Sequence, residues 1–226
     1  MAVRTSRRLL IAVAALWIAT AVAYVVLEAL AAASVPSYSY ARHYISALGV
    51  PEWSPRAILM NAAFYQQAVL FLGGAILAVR AIRGPWLGAL FLVFTAMNAV
   101  GNVLVALVHG GSPLWDGGHK YLHQVGAILA IGGGNAAILA GTMLVGRVVA
   151  ARWYRPVGIL IGLAGFATFA MLQNYVNSLV AEYVSIGLIE RACVYTIMIW
   201  QVFTGFVLLT RPRRDEVAAP AAEVVR

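Results

Sequence analysis

A few residues in this chain have the types and spacings for chemistry, and all of them interrupt or flank strongly apolar sequence. They are the acids Glu28 and Glu190, the cations Arg42 and Arg191, the hydroxyl of Ser46, the amides of Asn61, Asn98 and Asn102, and the four histidines His43, His109, His119 and His123. Glu190-Arg191 opens an apolar run, where a helix N-terminus favours an anion. Arg191 is placed to pair with Glu28, or to grip a lipid phosphate or carboxylate through a forked pair of hydrogen bonds. His119 and His123 are spaced i, i+4, His109 ends the preceding apolar run, and Asp116 lies between. Three histidines and a carboxylate are a valid zinc set, and a zinc-held water beside lipid could hydrolyse an ester or amide. Against this, the pattern lacks the glutamate of HExxH, and Gly117-Gly118 interrupts the helix that would align the two histidines. A haem held between His109 and His123 is a weaker alternative. Lys120, the single lysine, falls in a loop, which rules out a buried retinal attachment. Ser46 has no GxSxG elbow to make it a hydrolase nucleophile. The leading expectation is therefore a non-catalytic site without a cofactor, with zinc kept for the hydrolase alternative.

The elements that must position these groups are membrane helices. The chain has 226 residues, 62% hydrophobic and only 11% charged, with mean hydropathy +0.85. A soluble domain carries about 25% charged residues. So much apolar surface cannot be hidden in one small globule, and the bilayer must act as solvent. Runs of about twenty apolar residues, the length that crosses hydrocarbon, predict six spans at 9–32, 57–79, 86–108, 122–145, 157–176 and 186–210. The expected fold is all-α, a six-helix membrane bundle over 1–214 followed by a disordered tail over 215–226. The apolar stretch after Arg4, Arg7 and Arg8 is too long for a signal-peptide core and is read as a retained first helix. Lone Cys193 provides no disulfide. Of the 16 basic residues, 12 flank the spans on one side. The positive-inside rule then places both termini in the cytoplasm, and the basic pI reflects topology rather than nucleic-acid binding.

Counting about twenty residues outward from each basic flank, at 1.5 Å per residue, reaches Glu28, Asn61, His109, His123, Asn174 with Asn177, and Glu190-Arg191. The spans thus place polar groups at one level, near the outer hydrocarbon boundary. Asn98 and Asn102 share a face of the third helix and extend this layer inward, as do Gln66, Gln67 and Asn135. The inner halves read as nearly pure Ala, Leu, Val, Ile and Gly. The pattern suggests a cup open outward, although Asn, Gln and His between membrane helices also serve simply to hold a bundle together. Glycines at 126, 133 and 141, with Ala137, and at 158, 162 and 165, predict close helix packing within the chain, or a homodimer face.

The segment Tyr40-Ala41-Arg42-His43-Tyr44-Ile45-Ser46-Ala47-Leu48-Gly49-Val50 with Ser54-Pro55 and Asn61, and the segment Gly187-Leu188-Ile189-Glu190-Arg191 with Trp200, resemble the domain-of-unknown-function 998 family. His119 or His123 resembles a histidine of that family's fourth helix. The resemblance implies a six-helix, multi-pass protein of a prokaryotic cell membrane, and it is marked by Arg42, Ser46, Asn61, His119 or His123, Glu190 and Arg191. Ala47 stands where family members often carry an acid. The expectation carried forward is a polar pocket that binds or handles a membrane lipid or other amphiphile. A metal-dependent lipid hydrolase and an accessory subunit of a larger membrane complex are the alternatives.

Overall fold

Backbone placed in hydrocarbon must satisfy its own hydrogen bonds, and each of the six apolar runs does so as a helix. The computed structural model describes residues 6–175 and 185–210. Within them lie α1 (Arg7–Ala32), α2 (Ala57–Ile82), α3 (Pro85–Leu107), α4 (Tyr121–Val145), α5 (Tyr154–Gln173) and α6 (Ile186–Thr210). All six are long and apolar enough to cross a membrane. Helix α2 continues three residues past its expected end and is capped by Arg83 in the left-handed region, at φ 50°. Helix α3 starts on Pro85, whose missing N–H is no loss at the first helical position. Helix α5 begins at Tyr154 because Pro156 is tolerated inside a first turn. The expected span end at 176, Asn177, Tyr183, Arg4, the arginines at 211, 213, 214 and 226, and the 215–226 tail lie outside the described residues.

The helices form a closed ring in chain order, with α6 returning to α1 and α4 also touching α6. Helix α4 is the most enclosed, with 67% of its apolar window buried. Small residues make that possible. A Cβ on Gly101 of α3 would strike the backbone of Ala130, and one on Gly133 of α4 would come 2.9 Å from the backbone nitrogen of Asn98. The glycines of α5 are used in the same way. Gly158 accepts Thr142, Gly162 accepts Leu139, and Gly165 accepts Asn135. These small-residue stripes are spent on packing within one chain.

One half of the interior is sealed by aromatic rings, where the sequence suggested only small aliphatic side chains. Trp17, Phe71, Phe91 and Trp200 are all 0% exposed. Every pair among them is in ring contact, with centroids 5.1 to 6.3 Å apart. Gly141 leaves room for Phe91 and Trp200, and the indole N–H of Trp200 donates to Thr142 Oγ1 at 2.8 Å. The short connections 83–84 and 146–153 lie at one end of the bundle. The long connections 33–56 and 108–120 lie at the other, where the polar residues gather.

A valine at position 101 would wedge α3 from α4. Overpacking of this kind costs about 1–3 kcal/mol. Gly101→Val should lower the unfolding temperature in detergent by several degrees. Gly73→Ala, whose new methyl would meet nothing nearer than 4.0 Å, should not.

Candidate functional site

The connection 33–56 folds mainly through local turns, and the backbone groups these turns leave over need partners from elsewhere. Two consecutive residues of α6 supply some of them. Arg191 Nη1 donates to the carbonyls of Tyr40 (2.7 Å), His43 (2.9 Å) and Gly187 (3.1 Å). Its Nε and Nη2 meet Glu28 Oε1 at 3.2 and 3.0 Å. Nη2 also donates to the Tyr38 hydroxyl. The guanidinium lies over the Tyr40 ring, 4.6 Å from its centroid. Glu28 Oε2 in turn accepts the Tyr195 hydroxyl at 2.9 Å. On the preceding residue, Glu190 Oε2 accepts the backbone N–H of Ile45. Gly187 completes the contact, because a Cβ there would come within 2.6–2.7 Å of the carbonyls of Tyr40, Ala41 and His43. Tyr38, outside the spans, stays a neutral phenol. Burial pushes its pKa up to about 12 despite the opposing pull of Arg191, and its hydroxyl is 3.2 Å from the Tyr44 carbonyl as donor.

The same connection is fastened from α2. Asn61 Nδ2 donates to the Gly49 carbonyl at 2.9 Å. Leu48 is fully buried, in a single 3-10 turn over Ser46–Gly49. His43 is part of this scaffold. Its Nδ1 accepts the Ser39 N–H at 3.0 Å and its ring packs on Tyr38 and Trp53.

Beneath this roof lies a cavity of about 50 Å³. Ser46, Gln67, Asn98, Asn102, His123 and Glu190 give it a polar side, and Tyr24, Phe64, Ile197 and Met198 an apolar one. Asn98 Nδ2 donates to the Ala130 carbonyl at 2.6 Å, and Asn102 Nδ2 to the Asn98 carbonyl at 2.9 Å. These bonds fix both amide orientations. Asn98 Oδ1 and both amide atoms of Gln67 are buried without a hydrogen-bond partner, although each residue is only 1% exposed. His123 Nδ1 lies 2.7 Å from the Val108 carbonyl and therefore carries a proton. Met198 also borders a membrane-facing apolar groove between α1 and α6, lined by Val22, Val25, Tyr195 and Val202 among others. Met198 is the residue that lines both spaces.

Of the residues singled out from the sequence, Ser46, Asn98, Asn102, His123 and Glu190 meet around the cavity, and Glu28 and Arg191 pair beside it. Arg42 is exposed and does not line the cavity. The proposed three-histidine metal set is not assembled. Gly118, at φ 89°, breaks the chain before α4, so His119 is exposed outside the helix and off the face of His123. His109 Nδ1 lies 2.8 Å from the Gly110 carbonyl. Among the described residues, no three His, Cys, Asp or Glu side chains stand close enough to hold a metal. Gln67, Tyr24 and Tyr195 complete the arrangement and were not among the candidate site residues. The signal for Gln67 was an amide in the middle of an apolar span.

Six apolar helices closing a ring around buried acids, amides and an arginine define an integral membrane protein with a polar layer at one end. Residues 17–207 match the model of the family described as Protein of unknown function (DUF998), and the chain belongs to that family. No curated protein and no solved structure matches the chain significantly.

Removing one partner of a buried ion pair strands the other charge, at a cost of about 3–5 kcal/mol. Arg191→Gln should therefore lower stability in detergent by about that amount and make the 33–56 connection sensitive to protease. The double variant Glu28→Gln/Arg191→Gln should recover part of the unfolding temperature while the connection remains cleavable.

Proposed function

We propose that the cavity under the 33–56 connection is a non-catalytic binding site for a membrane amphiphile. In this reading the bundle sits with its arginine-rich connections in the cytoplasm and its polar end at the outer leaflet. The amphiphile's head enters the cavity and its chain lies in the groove between α1 and α6, passing Met198. One observation carries the reading: the Gln67 amide and Asn98 Oδ1 are buried without partners in a cavity wall. An unsatisfied buried polar group costs about 1–3 kcal/mol, and more where hydrocarbon surrounds the bundle. A site that retains such groups is organised for a guest that hydrogen-bonds to them. The position of Met198, shared by cavity and groove, supports a guest with one polar end and one apolar end.

The role of Arg191 differs from the head-gripping one expected from sequence. Its five N–H groups already face five acceptors within the chain. In this reading it holds the roof, and the cavity residues hold the guest.

Native mass spectrometry of protein released from mild detergent should show a retained amphiphile. Gln67→Leu should lose it. Because Gln67 makes no hydrogen bond inside the chain, the variant should be as stable as the parent or more so, by about 1 kcal/mol. Equal occupancy in parent and variant would count against the cavity as the binding site.

A further inference from the structure

The charge of the cavity wall and its unpartnered acceptors point to the chemistry of the guest. Resting on the amphiphile reading above, we propose that the head it receives is a primary amine, entering as an ammonium whose three N–H groups meet Asn98 Oδ1, Gln67 Oε1 and the Glu190 carboxylate.

Asn98 Nδ2 donates to the Ala130 carbonyl and Asn102 Nδ2 to the Asn98 carbonyl, which fixes both amide orientations and leaves Asn98 Oδ1 without a partner. Glu190 lines the same cavity, 9% exposed, with one oxygen anchored by the Ile45 N–H. The wall also holds donors, in Gln67 Nε2, the hydroxyls of Ser46 and Tyr24 and the second N–H of each asparagine amide. A guest that brings N–H groups satisfies Asn98 Oδ1 and Gln67 Oε1, the two acceptors of the wall that are buried without partners.

Charge narrows the choice. Glu28 and Glu190 are two acids beside one guanidinium, and Arg191 forms its ion pair with Glu28. This is the only ion pair among the described residues. The cavity wall itself includes no lysine or arginine. A phosphate or carboxylate head would meet a carboxylate and several carbonyl oxygens with no cation to offset it. An ammonium meets groups of the opposite sign, and charge-assisted hydrogen bonds are about twice as strong as neutral ones. Size agrees, since a space of about 50 Å³ admits a few water-sized groups. A trimethylated ammonium is larger and carries no donor.

The test compares decyl-chain compounds that differ only in their heads, each added below its own micelle concentration to the full chain in a maltoside detergent. Thermal unfolding reads the binding. Decylamine should stabilise the protein at concentrations on the order of tenfold lower than decanol, the ratio expected for charge-assisted bonds. Decyltrimethylammonium and decyl phosphate should give little protection. Glu190→Gln keeps an oxygen for the Ile45 N–H and should remain folded while losing the preference for amine over alcohol. Ethylamine separates a membrane-held amine from a free one. If ethylamine protects as well as decylamine, the amine stands and the chain in the groove falls. If all four decyl compounds act alike, or if Glu190→Gln retains the preference, the amine assignment is overturned while amphiphile binding survives. If no decyl compound shifts unfolding, both readings fail together.

Discussion

The pairing of Glu28 with Arg191 is the constraint from which the polar end of the molecule is built. Either charge alone would be prohibitively costly at its depth. Together they form a two-point contact that fixes α1 against α6, the junction at which the ring of helices closes. Once fixed there, the guanidinium has donors left over. They turn outward to carbonyls of a connection that is otherwise held by local turns. Glu190, the residue before, takes an amide N–H of the same stretch. An adjacent acid and base on one helix thus satisfy both polarities of a backbone that belongs to neither helix nor sheet. This gives a physical account of the two segments by which the family is recognised. In Gly187-Leu188-Ile189-Glu190-Arg191, the glycine admits the carbonyls and the last two residues bind the connection. In Ile45-Ser46-Ala47-Leu48-Gly49, Ile45 and Gly49 are the bound positions and Leu48 is the buried anchor.

The roof and the cavity make opposite demands on neighbouring residues. Arg191 is fully engaged, and Asn61 has its Nδ2 committed to the Gly49 carbonyl. Gln67 and Asn98 keep polar atoms with nothing to bond. Polar side chains that only held helices together would be expected to find one another across the bundle, as Asn135 does. Its amide reaches Ile131 and Cys193, and its carbonyl accepts the Thr196 hydroxyl. That satisfied cluster and the unsatisfied one under the roof occur in the same protein, made from the same residue types. Other buried groups, such as the Gln201 amide, also lack partners, but Gln67 and Asn98 are the ones that border an empty space.

How much of this could be read from the sequence follows from the range of each interaction. Span number and type were legible because they depend on the length of apolar runs, a local property that crossing a bilayer enforces. The level of the polar layer was legible for the same reason, since helix rise converts residue number into depth. Which polar group meets which was not. Helix rotation decides that Asn98 faces the cavity and that Arg191 turns to Glu28, and for Asn98 that rotation is set by the close crossing of α3 and α4 at Gly101 and Gly133. The spacing of His119 and His123 suggested one helical face, yet Gly118 at positive φ ends that possibility. The aromatic quartet escaped notice because each ring comes from a different helix and none stands out within its own run.

That quartet determines which routes the polar layer can serve. Trp17, Phe71, Phe91 and Trp200 occupy the ring's interior as a mutually packed plug, tied to α4 through Thr142. Opening a path through it would separate six ring contacts, each worth about 0.5–1.5 kcal/mol beyond simple burial, and would expose four fully buried side chains. Two boundaries of the cavity avoid this plug. One lies past the connection held by Glu190 and Arg191, and the other past the flexible thioether of Met198 toward the α1–α6 groove. A molecule held at Gln67 and Asn98 therefore leaves by the end at which the polar layer lies or sideways into the bilayer. On the binding reading proposed for the cavity, the plug favours holding or presenting a membrane component over conducting one across.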